Sequence, residues 1–232
     1  MTDPRISDDA RPDDRSEPRD VERPVARPDT RAERRVERAI AQEAADERIP
    51  ATERILRATA RGLVERGAAS LSMQEVADSA GVSKGLIHYH YHDKAALLVR
   101  VVTWMTEGLV SRESHALDHT EAPAAVDALW LWLDAELQRG DIRALIELAY
   151  EPAPGVREAV REAARRRRET AAGTIESLFA ALSLRPRVPV PLLADVFVSF
   201  VDGLAFRATV TPDADRRVAF DVFWLALLSL AE

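Results

Sequence analysis

Five side chains within residues 83–89, Ser83, Lys84, Leu86, His88 and Tyr89, can each meet a different part of a nucleic acid. A serine hydroxyl and a lysine ammonium reach phosphate oxygens or base edges, and Gly85 between them lets the backbone approach closely. Leu86 suits a thymine methyl, while His88 and Tyr89 have the length to reach a phosphate. At helical spacing these residues share the outer, N-terminal face of one short helix, the kind of face that enters a major groove. Two groups stand beside it. Ser72 opens the preceding helix and offers free amides and a positive dipole end to a phosphate. Lys94 lies in the first turn of the following helix, where a cation opposes the dipole at roughly 0.3–1 kcal/mol, so a partner outside that helix is expected, and a DNA phosphate would serve. Lys84 and Lys94 are the only lysines among 32 basic residues.

These groups need a scaffold, and residues 73–90, MQEVADSAGVSKGLIHYH, read as a short helix, a glycine turn and a second short helix. Ser72 is the expected N-cap, Glu75 its capping-box partner, and Leu71 can staple against Val76. Gly81 supplies the turn, Ser83 caps a helix reaching about Tyr89 or His90, and Asp93 caps the next. Upstream, Ile55, Leu56, Thr59, Leu63 and Val64 stripe a helix over about 51–66, closed by Gly67. Downstream, apolar stripes predict helices carrying Leu98 to Leu109, Val126 to Leu137 and Ile142 to Ala149. Pro152, Pro154 and Gly155 then break the chain before a long helix over about 156–182. Two last helices are expected over about 191–209 and 213–231, with Thr211-Pro212 between them. The fold class is all-α: an N-terminal three-helix helix-turn-helix domain, then a helical bundle.

Residues 52–98, TERILRATARGLVERGAASLSMQEVADSAGVSKGLIHYHYHDKAALL, closely resemble the DNA-binding domain of tetracycline-repressor (TetR) family regulators. The shared features are Ile55-Leu56, Gly67, the Ala80-Gly81-Val82-Ser83 turn, and Tyr91 followed by Lys94. The family commonly has tyrosine where this chain has His88. The resemblance implies a homodimeric bacterial repressor whose C-terminal helices bind a small ligand and dimerise. The expected partners are a palindromic operator in double-stranded DNA, a second copy of the chain, and a small hydrophobic or amphipathic effector. A DNA-binding regulator without a ligand, a constitutive repressor or an activator, is the alternative.

Composition bounds these readings. The 232 residues carry a net charge of -7, which argues weakly against a general nucleic-acid coat. The charge is uneven: residues 1–50 hold 11 basic and 14 acidic groups, 51–94 hold 6 and 5, and 95–232 hold 15 and 20. Only the helix-turn-helix region is not acidic. No apolar run approaches the roughly 18 residues of a membrane span, no signal peptide is legible, and a cytoplasmic protein is expected. Without cysteine, disulfides, thiolate zinc sites and a cysteine nucleophile are excluded. Residues 1–48, rich in Arg, Asp, Glu and Pro, read as a disordered or partly helical arm. Residues 49–96 read as the DNA-binding domain and 97–232 as the ligand-binding and dimerisation domain.

His88 and His92 are four apart, as in a zinc pair, but with Asp93 capping the next helix, the third helix ends before His92 and the pairing fails. No metal or cofactor is expected. Ser111, His115 and Asp118 lie along one helix and cannot build a nucleophile, base and orienter around an oxyanion hole, so no catalytic residue is expected. The Arg165 to Arg168 run, with Glu158, Glu162 and Glu169 around it, reads as a solvated face. Bundle aromatics and neighbouring carboxylates, Trp104, Met105, Trp130, Asp134, Glu147, Tyr150, Phe179 and Asp202, are the candidate ligand pocket. The last two helices are apolar all round and cannot both be buried in one small chain. They are expected to pair with a second copy through Phe197, Phe200, Val201, Leu204, Phe220, Phe223, Trp224 and Leu227, with Gly203 allowing close approach.

Overall fold

A computed structural model describes residues 49–118, 120–211 and 215–232. The arm over 1–48 and Pro212 lie outside the described residues. Among those described there are nine α-helices, one short 3-10 turn (Ala122–Ala124) and no strand ladder, only an isolated bridge from Pro186 to Ala231.

The first three helices form the helix-turn-helix unit. Helix α1 (Ala51–Arg66) ends at Gly67 and buries Ile55, Leu56, Ala58, Thr59 and Leu63. The Thr59 hydroxyl, buried among them, donates to Ile55 O at 2.7 Å. α2 (Met73–Ala80) packs on α1, and the loop before it lies close against α1, where a Cβ on Gly62 would fall 2.5 Å from Leu71 Cδ1. Gly81 (φ 62°) turns the chain into α3 (Lys84–Tyr91), which Ile87 and Tyr91 anchor. α3 runs one residue past its expected end.

α4 (Lys94–Ser114) starts at the Asp93 cap, where the carboxylate accepts from Ala96 N at 2.8 Å. It packs on α1 and α3 near its start and on the long α7 along its length, so the division expected at residue 96 falls inside a continuous helix. α5 (Ala125–Arg139) and α6 (Asp141–Leu148) share Gly140 as cap. α7 spans Pro154–Ala181: Pro154, expected as part of a break, takes the first helical position, where its missing N–H is no loss. α8 (Val190–Val210) and α9 (Arg216–Leu228) complete the bundle, α8 on α5, α6 and α7, α9 chiefly on α5. No helix among the described residues is long and apolar enough to cross a membrane.

Gly140 has φ 78°, and a Cβ there would sit 2.8 Å from Val64 Cγ1 on α1. Gly140→Ala is therefore expected to lower unfolding stability by about 2 kcal/mol or more in chemical denaturation. Gly173→Ala, in the middle of α7 with open space around it, is expected to leave stability unchanged or raise it by up to about 1 kcal/mol.

Candidate functional site

The capping box at α2 is complete. Ser72 Oγ accepts from Glu75 N at 3.2 Å and donates to Glu75 Oε2 at 2.7 Å, and Ser72 N donates to the same oxygen at 3.0 Å. These bonds hold the Glu75 carboxyl below its ordinary range, the Ser72 hydroxyl contributing most. One carboxylate thus already occupies this helix end, and the amides of Met73 and Gln74 are those the box does not use.

Along α3, Ser83 Oγ accepts from Leu86 N at 3.2 Å, which fixes the start of the helix. Ser83, Lys84, Gly85, His88 and Tyr89 are exposed, Leu86 is half-buried and Ile87 is buried. Tyr89 is 77% exposed, an aromatic ring of a size that usually finds cover. His88 Nδ1–H donates to His92 O at 2.8 Å, which leaves Nε2 for an outside partner. His92 caps α3 at φ 53°, ψ -56°, a γ-turn closed by Asp93 N to Tyr91 O at 2.5 Å. A non-glycine residue there stores roughly 1–3 kcal/mol of strain, and the His88 hydrogen bond spans it.

Lys94 differs from expectation in its partner. Its Nζ donates to Ala68 O at 2.6 Å, tying the start of α4 to the loop after α1. A carbonyl dipole inside the molecule and outside α4 offsets the cation here, with two N–H bonds left over. Tyr91 is buried beside it, and burial pushes its hydroxyl up.

The eight expected pocket residues do not converge. Trp104 and Met105 line a groove of about 510 Å³ where α1 meets α4, with Ala60, Val64, Arg61 and Arg112 among its walls. Trp130 packs instead on Phe220 at 5.2 Å, beneath the Arg217 guanidinium. Asp134 pairs with Arg216, Glu147 with Arg143, and Asp202 with Arg167. Phe179 is buried, and Tyr150 is 87% exposed just past α6. Each carboxylate had an arginine closer than any shared cavity.

Sequence reasoning missed the polar groups that are buried. Glu136 is fully buried, receiving Arg112 in a two-pronged pair at 2.5 and 2.8 Å, and Asp141 takes Arg112 as well at 3.4 Å. Glu113 and Arg167 are buried in the bundle as well. Burial pushes the Glu113 carboxyl up to about 7, against the pull of Arg167 and of the Thr174 hydroxyl. The arginine run expected to be solvated therefore divides: Arg165, Arg166 and Arg168 pair with acids at the surface, while Arg167 turns inward. The signal was periodicity, since Glu113 follows Leu109 by four and Arg167 lies midway between Ala163 and Ala171. His115, once weighed with Ser111 and Asp118, bonds through Nδ1 to the Ser111 carbonyl oxygen, not its hydroxyl.

The last two helices need a correction. Phe197, Val201, Leu204, Phe220, Trp224 and Leu227, expected at a dimer interface, are buried within the single chain, because α8 and α9 turn this face onto α5, α6, α7 and each other. Phe200 and Phe223 are half-buried and stack at 4.1 Å. The faces left outward carry Leu192, Val196, Phe206, Val218, Val222 and Leu225. A Cβ on Gly203 would meet nothing, so that position on α8 is open.

Residues 55–101 match the family model described as bacterial regulatory proteins, tetR family. The HTH-type transcriptional activator FasR of Mycolicibacterium smegmatis is 33% identical over 117 residues, covering 47% of this chain and 52% of that protein, so the match spans about half the relative's length. Among solved structures, reduced NemR of E. coli is similar with TM-score 0.64 at 15% identity, over 78% of this chain and 98% of that one. A TetR transcription regulator from Haloarcula marismortui gives TM-score 0.63 at 23% identity, over 78% and 98%. A transcriptional regulator from Rhodococcus sp. Rha1 gives 0.63 at 22%, over 78% and 97%. At these identities the structural likeness is one of fold.

Glu113 makes stability depend on pH. Its folded pKa, about 7, lies above the ordinary 4.5, so between those values the unfolded chain releases a proton that the folded chain keeps. Stability therefore falls as pH rises through this window, by about 3 kcal/mol from this group. Glu113→Gln is expected to remove that slope and to be the more stable protein at about pH 8, as read by urea unfolding across pH.

Proposed function

We propose that the chain is a member of the tetR family of bacterial regulatory proteins, whose model residues 55–101 match, and that it is a homodimer that binds a two-fold operator in double-stranded DNA and is released from it by a small hydrophobic or amphipathic effector. The exposed N-terminal face of α3 carries this reading: Ser83, Lys84, Gly85, His88 and Tyr89 stand outward at the end of a helix whose other face is buried. Residues 49–96 are assigned to DNA and 97–232 to the effector and the partner copy.

The groups divide by task. Lys84 and Ser83 meet phosphates or base edges at the mouth of the groove, Leu86 meets a thymine methyl, and His88 Nε2 and Tyr89 reach phosphates. Ser72, through the free amides of its helix, and Lys94, through its remaining N–H bonds, flank them. The outward apolar faces of α8 and α9, with Leu192, Val196, Val218, Val222 and Leu225, support pairing with a second copy. An isologous pair sets two recognition helices about 34–36 Å apart, one turn of DNA.

α4 links the two tasks, because its start holds α1 through Lys94 and its far end carries Glu113 in the bundle. A displacement at one end of so continuous a helix is felt at the other, and couplings of this kind are typically about 1–3 kcal/mol. Repression follows where the operator overlaps the promoter. Activation is the second reading, favoured by the 33% identity to a named activator; in vitro transcription with and without the protein separates the two.

Fluorescence anisotropy on the chain's own upstream DNA tests the interface. Lys84→Ala is expected to weaken operator binding about tenfold and to lower the salt slope by about one; an unchanged slope removes Lys84 from the contacts. Leu225→Glu is expected to convert a particle of twice the chain mass into one of single mass in sedimentation, with loss of operator binding.

A further inference from the structure

Two ionisable side chains sit in the middle of the bundle, each with a single hydrogen-bond partner. Glu113 is 4% exposed, and its hydrogen bond comes from the neutral Thr174 hydroxyl at 3.3 Å. Arg167 is 7% exposed and gives one N–H to Asp202 at 2.6 Å. Nearby, the buried Trp132 indole N–H has no acceptor. All three residues line one small cavity of about 10 Å³ whose apolar wall includes Leu109, Phe197 and Val201.

Charges buried with incomplete partners and an orphaned donor are each unfavourable for folding. Helix packing alone calls for apolar side chains at these stripe positions. A polar network kept for structural specificity would close on itself, and this one leaves Trp132 open. Perturbed, incompletely paired groups around one cavity are the signature of a binding site. The groove between α1 and α4 lacks that signature: Arg112 is paired with Glu136 and Asp141, Arg57 with Glu53, and Arg61 bonds Ser79.

The groups around the cavity can act as donors, and the Trp132 N–H is the one of them with no partner. Trp132 offers Nε1–H, Arg167 offers the N–H bonds that Asp202 does not use, and protonated Glu113 offers an O–H. A cationic ligand would enter beside the Arg167 guanidinium in a low-dielectric interior, where like charges repel strongly. A compact oxyanion accepts from all three.

We propose that this cavity anchors the effector by the carboxylate of a small organic acid, whose apolar body lies along Leu109, Phe197 and Val201. The inference rests on the effector-released regulator set out above. As it stands the cavity holds about one water, so an acid enters only as α8 draws back from α4. Binding is then confined to the opened bundle, which is the differential affinity a ligand needs to shift an equilibrium.

Isothermal titration of the full chain with benzoate, phenylacetate and hexanoate, against benzyl alcohol, benzylamine and hexanamide, tests the class. At least one acid is expected to bind at about 1 mM or tighter, with its alcohol, amine or amide counterpart at least about tenfold weaker. Trp132→Phe keeps a ring against Phe197 and removes the N–H, and is expected to weaken acid binding about tenfold. From about pH 6 to about pH 8 acid binding should weaken as Glu113, facing Arg167 and Thr174 and within the field of Glu136, loses its proton. Glu113→Gln retains a donor and should abolish that pH dependence while still binding. Equal binding of the neutral or cationic counterparts, no acid binding, or unchanged affinity in Trp132→Phe overturns the carboxylate anchor. Challenging the operator complex with a crude metabolite extract separates the two levels. Release by extract without acid binding overturns the anchor alone, and an operator complex indifferent to both overturns the effector reading with it.

Discussion

Helix α4 carries one continuous core from the helix-turn-helix unit into the bundle, and the rest of the molecule is arranged around that constraint. Its first turn carries a lysine against its own dipole, which the Ala68 carbonyl offsets by accepting from Nζ. Leu97, Leu98, Val101 and Val102 are buried where α1 and α3 meet it, and Met105, Leu109 and Glu113 are buried further along the helix against α7. Twenty-one helical residues span roughly 30 Å, so one rigid element joins the helix-turn-helix unit to the centre of the bundle. A hinge between the two would decouple them, and α4 has none: Gly108 lies under the Arg112 side chain, whose Nη1 would be 2.9 Å from a Cβ there.

Electrostatics follows the same division. The bundle and the arm hold the excess of acid, and the helix-turn-helix region is the part left slightly basic. Long-range attraction for an anionic partner is therefore local rather than global, and the acidic remainder discourages other modes of contact. Within the bundle, arginines are spent on specific carboxylates, Arg112 on Glu136 and Asp141, Arg167 on Asp202, Arg217 on Asp127 and Asp221. With Arg216 on Asp134 and Arg143 on Glu147, such pairs explain why the candidate pocket carboxylates do not gather in one place.

The sequence was informative where a local rule had one solution. Ser72 with Glu75, Gly81, Ser83 and Asp93 each act as the cap or turn that their residue type and spacing require, because capping chemistry depends on a few neighbours. The start and end of α1 follow from an uninterrupted stripe. Tertiary choices were less legible. Pro154 was ambiguous between breaking a helix and beginning one. Phe197 and Trp224 were legible as buried but not as buried against which surface, since a helix apolar all round gives no direction; only the packing on α5, α6 and α7 shows that Leu192, Val222 and Leu225 are what remains outside. Lys94 needs a partner outside its helix, and that partner lies twenty-six residues away in the chain, beyond the reach of any local pattern. Glu113 and Arg167 occupy positions that helical periodicity assigns to the core, and reading residue type ahead of position hid them.

The central claim is that two copies of α3 read one symmetric DNA site. Footprinting the protein on the DNA upstream of its own gene, at low salt, tests it most directly. The account predicts protection of an inward repeat whose two halves are centred about one helical turn, roughly 34–36 Å, apart. Protection without two-fold symmetry, or none at any concentration that saturates nonspecific binding, would contradict it.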